Sequence, residues 1–462
     1  MKVVAFRDRA MWNARLGALA LGVLFVVPRS TLAADASPVT FAKNVAPIFQ
    51  EKCEACHRPN SIAPMSLVTY EEARPWARGI KTRVASRQMP PWHIDRTVGI
   101  QHFENDRSLT DDEIDTIVRW VDAGAPQGNP KDMPKPRVWP DESSWGFTAQ
   151  LGQPDLVLRS PDYKMPAQAQ DAWWKPVVDT GLTEPRWVRA IEIRPTTMKG
   201  RRITHHAVAR LKQDDGNDIS RPPSFVTSRP VDDTEDVGPG LFMEWAVGKQ
   251  GEMMRPNTGK LMLPGSKIVW DIHYHAVGEA ITGAAELAIY FYPKGQEPKY
   301  RTVLGQFHAI AGGSKQNLDI APNSVSVHQG FVVMKQAGRI ENFQPHMHLR
   351  GKAMSMEAIL PNGTTQMLSH ANFEFNWHVN YIYANDAAPI LPKGTILRIT
   401  AWHDNTAANK ANPDPNQWVG WGERTVDEMA HAWVNITYMS DADYRTELAK
   451  RKTPSTTVAE RR

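Results

Sequence analysis

A chain of 462 residues has room for about two to four domains, each with a core of its own. With 41% hydrophobic and 23% charged residues it has the composition of a soluble globular protein, which excludes a disordered or membrane-embedded chain. A formal charge of +4 gives no electrostatic argument for a nucleic-acid partner, and two cysteines are too few for a disulfide framework.

Residues 1–34 read as a secretory signal. Lys2, Arg7, Arg9 and Arg15 make the start basic, and the apolar stretch from Leu16 to Val27 is too short to span a bilayer. Thr31-Leu32-Ala33 then offers a cleavage site. No later stretch approaches ~18 apolar residues, so no membrane span is expected in the mature chain. The expected location is the bacterial periplasm or the medium.

Both cysteines lie in Cys53-Glu54-Ala55-Cys56-His57, the attachment motif of c-type haem. Cys53 and Cys56 would hold one covalent haem c, with His57 as proximal iron ligand. The competing reading is a redox or zinc Cys-x-x-Cys, but no βαβ pattern surrounds the motif and the chain carries an export signal. The flanks agree with haem. Thr40 to Gln50 is similar to the opening helix of many small cytochromes c, with Phe41, Val45, Ile48 and Phe49 on one face. A second helix is expected to start at Thr110, with Glu113 completing a capping box, and to stop at Ala123-Gly124-Ala125-Pro126. Ile114, Ile117, Val118 and Val121 form its apolar stripe. Residues 38–126 are thus expected to be a small all-α haem domain resembling a class I cytochrome c. Met89 is the favoured sixth ligand, Met65 is its rival, and His93 and His102 are weaker candidates. Met/His ligation raises the potential and suits electron transfer.

Residues 127–146 hold four prolines and read as a linker or surface-wrapping segment. Residues 147–440 turn strand-like. Val188–Arg194, 203–211, 267–275, 285–292, 331–333, 355–360, 395–402 and 432–439 are short, rich in β-branched and aromatic residues, and separated by Gly, Pro, Asn and Asp. Two antiparallel sandwiches of jelly-roll type are expected, over 147–300 and 301–440. The tail, 441–462, should be a short helix followed by disorder.

Four clusters in this β-rich part carry chemistry: His205-His206, His273-Tyr274-His275, His346-Met347-His348 and Asp427-Glu428-Met429. Together they read as two three-ligand metal sites, one His-His-His and one His-His-Met. Imidazole suits copper and zinc, while a thioether favours Cu(I), so the mixed set points to copper. His346 and His348 share a strand face, but adjacent His205 and His206 would face opposite sides unless a bulge or strand end re-aims one of them. The third ligand must come from elsewhere, His273 or His275 for one site and Met429 for the other. His403 and His431 are candidate hydrogen-bond partners of the second site. His308, His328, His370 and His378 read as structural or surface residues.

On these four motifs, over roughly residues 150–440, the chain resembles the copper type II, ascorbate-dependent monooxygenases of the peptidylglycine α-hydroxylating and dopamine β-monooxygenase family. The resemblance implies that His205, His206 and His273 hold an electron-storing copper. It implies that His346, His348 and Met429 hold the copper where dioxygen and substrate react, across a solvent-filled cleft. The chain departs from the family in three ways. It has no spare cysteine and carries a haem domain in front, and Gln344 stands where the peptide-amidating enzyme has an arginine, which speaks against a peptidylglycine substrate. The expected function is therefore a copper monooxygenase that hydroxylates a C–H bond of a small organic substrate with O2. Electrons would pass from an ascorbate-like donor or a redox protein through the haem to the His-His-His copper. The alternatives are a haem-copper electron-transfer, oxidase or dehydrogenase protein without hydroxylation, and a non-enzymatic copper-binding protein. A zinc hydrolase would leave the haem idle.

Overall fold

Antiparallel strands dominate the chain from Leu156 to Met439, with short helices before them. The structure is a computed structural model. It describes residues 38–452 apart from 60, 140–143, 214–239, 247–248 and 250, so the signal expected at 1–34 lies outside the described residues. No described helix is long and apolar enough to cross a membrane.

Each expected strand is present with ends shifted by a few residues, and the one expected at 331–333 begins at Val325. An eleven-stranded sheet runs through both halves of the β-rich region. A five-stranded sheet faces its first half and a four-stranded sheet faces its second. The reason lies in alternation. On the Lys267–Tyr274 strand, Ile268, Trp270, Ile272 and Tyr274 point one way into a core shared with Val188, Ile191, Leu287 and Ile289. On the Ile396–Asp404 strand, Leu397, Ile399 and Ala401 do the same against Phe343, Met347 and Val434. Each such side chain, fully buried, contributes roughly 1.5–3 kcal/mol.

The halves join where Tyr300 and Arg301 pair in parallel with Thr258 and Gly259. A Cβ at Gly259 would come within 2.9 Å of both the Val188 carbonyl and Pro298, so only glycine fits this seam. Beside it lies a buried ionic group. Glu252 accepts from Lys249, from Lys260 (2.7 Å) and from Asn435 of the second half (3.0 Å), and Lys249 also pairs with Glu244. Two cations and two anions cancel there, as burial demands.

The helical part before the sheets comprises a π-helical turn, Phe41–Val45, continuing into Ala46–Lys52, then Tyr70–Ala73, Ala77–Ala85 and Asp111–Asp122. Phe41, Phe49, Ile117 and Trp120 form its core. Thr110 and Glu113 form the expected capping box, and the chain turns out of the helix through Gly124 at φ +86°.

The stretch between these helices does not stay with them. Trp92, Ile94 and Phe103 join the core of the second sandwich. Trp92 meets Tyr381 edge-on at 4.9 Å and Phe103 stacks on Tyr383 at 5.4 Å. The helical unit is thereby seated on the second half. Residues 127–139 lie against it: Gln50 donates to the Lys135 carbonyl, and Trp139 donates to Glu54. Farther on, Trp145 receives the Arg194 guanidinium at 3.7 Å on the first half. Ile203, expected in a strand, instead ends a helical turn, Met198–Ile203, capped by Thr197. The tail opens with the helix Asp441–Lys452.

Candidate metal centre

The first histidine set is built by a bulge. Along the pairing of Lys267–Tyr274 with Thr204–Lys212, His273 lies opposite His206 and Tyr274 opposite Thr204. His205 is therefore the extra residue, and the bulge turns its ring to the side of its neighbour. One ring nitrogen from each of His205, His206 and His273 falls within 4.8 Å of the other two. His275 stands off, its ring 6.3 Å from that of His205.

On two of these rings a nitrogen lacks a partner: Nδ1 of His205 and Nδ1 of His206 are buried with no hydrogen bond. The Asp171 carboxylate faces Nε2 of His273 at 3.1 Å, and Trp173 stacks on that ring at 4.7 Å. An orphaned buried polar atom costs about 1–3 kcal/mol, so the two on His205 and His206 ask for a ligand. Burial first, then the neighbouring imidazoles, holds His205 down to about 2 and His206 well below its ordinary value. Burial also lowers His273, against the pull of Asp171. All three rings are thus neutral, the form that binds a metal.

The second set sits at a strand end. His346 belongs to Asn342–Met347, opposite His431 of the Ala430–Met439 strand, and His348 follows just past the end. Their ring centroids are 5.4 Å apart. Nδ1 of His348 faces the Asp427 carbonyl at 3.1 Å, which fixes its proton there and leaves Nε2 with a free lone pair. Glu428, fully buried, accepts from the backbone N–H of His348 (2.9 Å), Arg350 (2.6 Å) and Met429 (3.3 Å). Burial pushes its carboxyl up to about 7, against those donors. His403 places Nε2 3.2 Å from the Met429 carbonyl. The half-buried Met429 is thus held by its backbone beside His348.

The two sets touch. The resemblance implies a solvent-filled cleft between them, but here the rings of His206 and His346 stack at 6.0 Å. His378, read from sequence as structural or surface, sits buried between the sets, with Nδ1 3.0 Å from Nδ1 of His346 and its ring 5.9 Å from that of His205. Its Nε2 has no partner, and burial pushes it down to about 4. His431 continues the stack, 4.7 Å from His346 and 5.5 Å from His308. Sequence reasoning missed His378 and the anchoring role of Glu428. The lone histidine had no spaced partner, and the acid was legible only as a neighbour of Met429.

At the Cys-x-x-Cys-His motif Cys53 and Cys56 are not joined to each other by a disulfide. Backbone N–H groups of Cys56 and His57 both donate to the Cys53 carbonyl, gathering the three side chains on one turn. Burial pushes the Cys53 thiol up to about 12, the opposite of a reactive redox thiol. Nδ1 of His57 lies 3.2 Å from the Met65 carbonyl, leaving Nε2 for a ligand. It is the main-chain carbonyl of Met65 that faces the ring on its Nδ1 side. Met89 instead lines a cavity of about 490 Å³ with His93, Leu109, Phe373 and Glu374. His102 is at the surface beside Asp386, 3.1 Å away.

No family model and no curated protein matches the chain. Among solved structures it is similar to a protein described as secreted, from Parabacteroides distasonis. That match has 9% identity over 64% of this chain and 96% of the other, at a TM-score of 0.15. It is also similar to the infectious bursal disease virus Gx strain structure, with 10% identity, 66% and 75% coverage, and a TM-score of 0.18. Neither superposition is close enough to support an assignment.

Proposed function

We propose that the protein is an exported copper-dependent monooxygenase that hydroxylates a small organic substrate with O2 and takes its electrons through a covalent haem c. The observation that carries this reading is the convergence of one ring nitrogen each from His205, His206 and His273 within 4.8 Å, on imidazoles that burial keeps neutral, directly against His346. These residues fit copper. His205, His206 and His273 would hold one ion, and His346, His348 and Met429 the other. Copper there would supply one-electron chemistry with dioxygen, and the thioether would favour its reduced state.

The chain prepares the site. Burial keeps the imidazoles unprotonated, and the Asp427 carbonyl fixes the tautomer of His348. Glu428 ties the strand end carrying His348 to the segment carrying Met429. Phe375, stacked on His205 at 5.2 Å, and Trp433, 4.8 Å from His346, keep water from the rings. At the other site, Cys53 and Cys56 would tether the haem, and the Met65 carbonyl would orient His57. Met89 would be the sixth ligand, with Met65 as its rival.

The contact between His206 and His346 favours one second reading, an electron-transfer or oxidase protein without hydroxylation. Two measurements test these readings. Copper analysis with a pyridine haemochrome assay should give two coppers and one c-type haem per chain, and a chain without copper would end both. Isotopically labelled O2 should place one labelled oxygen in a product. Labelled water alone would select the second reading.

A further inference from the structure

Neither histidine set claims His378, yet its ring lies 4.8 Å from that of His346 and 5.9 Å from that of His205. The residue is 3% exposed. Its Nδ1 stands 3.0 Å from Nδ1 of His346. His431, paired directly opposite His346 on the neighbouring strand, makes no such contact, for both its ring nitrogens are unpaired.

The backbone brings the two rings together without a metal. Asn342 and Phe343, on the strand of His346, pair with Ile382 and Tyr381. The Asn342 side chain donates to the Asn380 side chain at 2.5 Å, and Asn105 donates to the Asn380 carbonyl at 2.7 Å. Phe373 and Phe375 meet the His378 ring edge-on at 6.1 and 6.3 Å. The contact between the two nitrogens is therefore a fixed feature of the fold.

A neutral imidazole carries one N–H and one lone pair, so one ring of the pair donates and the other accepts. His348 supplies the comparison. Its Nδ1 faces the Asp427 carbonyl, which only accepts, so its proton is on Nδ1 and its lone pair on Nε2. If His378 donated, His346 would keep its proton on Nε2. The two histidines at one strand end would then offer a metal one lone pair and one N–H. If His346 donates, both offer Nε2 lone pairs.

We propose that His378 is a positioning residue: it accepts the Nδ1 proton of His346 in a hydrogen bond and so keeps the Nε2 lone pair of His346 free for the metal shared with His348 and Met429. This rests on the copper reading above. His378 does for His346 what the Asp427 carbonyl does for His348. Its own proton stays on Nε2, which is buried without a partner. Packing alone does not account for that, because an apolar side chain of similar size would bury no polar atom.

The test loads full-length, haem-carrying protein with Cu(I) under anaerobic conditions, as wild type and as His378→Leu, His378→Asn and His378→Gln. Asparagine places an amide oxygen where Nδ1 stands, and glutamine places it one atom farther. Leucine has the size of asparagine but accepts nothing. Sulfur from Met429 marks its site in copper X-ray absorption, and competition with a chromophoric chelator measures affinity. His378→Leu and His378→Gln should bind copper at the Met429 site roughly 10–100-fold more weakly than wild type. The His205, His206 and His273 site should be unchanged, and His378→Asn should restore most of the lost affinity. Where His378→Leu does not fold, the contrast between His378→Asn and His378→Gln decides. Equal affinity in wild type and variants overturns the positioning role and leaves the copper reading standing. So does His378→Asn as weak as His378→Gln, the result expected of a metal ligand. Wild-type protein with no sulfur-bound copper overturns both.

Discussion

Stripping metal from the histidine cluster should leave a protein that unfolds readily in mild acid. An imidazole in an unfolded chain titrates near 6.5, or about that value. In the folded chain, burial pushes His348 and His378 down to about 4 and His403 to about 3. The folded values lie below the unfolded one, so below pH ~6.5 the unfolded state binds more protons and stability falls as pH falls. The contribution is complete above that pH, and its loss continues down to the folded values. Each group changes stability by about 1.4 kcal/mol per pH unit across this window. Three together give roughly 4 kcal/mol per unit, against a total of about 5–15 kcal/mol for a typical domain. The assay is the urea midpoint of chelator-treated protein, by far-ultraviolet circular dichroism, at pH 7.5, 6.5 and 5.5, or about those values. The midpoint should fall a little between the first two, where three groups lose about 1 kcal/mol, and sharply at the third, where they lose about 3 kcal/mol more. Copper should move the drop to lower pH, because the ligand nitrogens must shed protons to bind it. A flat midpoint across the series in the stripped protein would refute the neutral, buried state of these imidazoles.

Met429→Ile should abolish product formation while the His205, His206 and His273 site keeps its copper, by turnover and metal count; retained turnover would remove Met429 from the site. Glu428→Gln keeps the shape but weakens three charge-assisted backbone contacts, and should lower copper affinity by roughly 10–100-fold in a competitive titration. Unchanged affinity would make Glu428 a support of the fold only. Trp92→Ala empties a site between Tyr381 and Phe103 and should cost about 3–5 kcal/mol. It should also open the 86–108 stretch to limited proteolysis, and a resistant variant would mean the helical unit is seated by other contacts. Glu252→Gln leaves Lys249 and Lys260 short of a buried anion and should cost about 3–5 kcal/mol by urea midpoint.

What the sequence revealed follows from what it encodes locally. Strand alternation at 267–275 and 395–402 is a period of two, and it survived into the structure because one face of each strand is buried. The need for a bulge at His205 was legible for the same reason, since two adjacent histidines cannot share a face without one. The capping box at Thr110 is a four-residue code that needs no tertiary partner. Long-range facts were not written this way. Trp92 and Phe103 lie between two helices in the chain, and only the aromatic surface of Tyr381 and Tyr383, far along the sequence, draws them elsewhere. His378 carries no spacing signal, because its partners His205 and His346 come from different strands.

The contact between the two sets changes what assembles the site. His205, His206 and His273 stand on the five-stranded sheet of the first half, and His346 on the eleven-stranded sheet of the second. Their rings can stack only if the halves hold one relative orientation. The parallel pairing at Thr258 and Tyr300, with the Glu252 group beside it, provides that orientation without any metal. A metal bound across the cluster would then find its ligands already placed, and little of its binding energy would go into ordering the chain. The orphaned nitrogens show where the ordering cost was met instead, in burying Nδ1 of His205 and of His206 without partners.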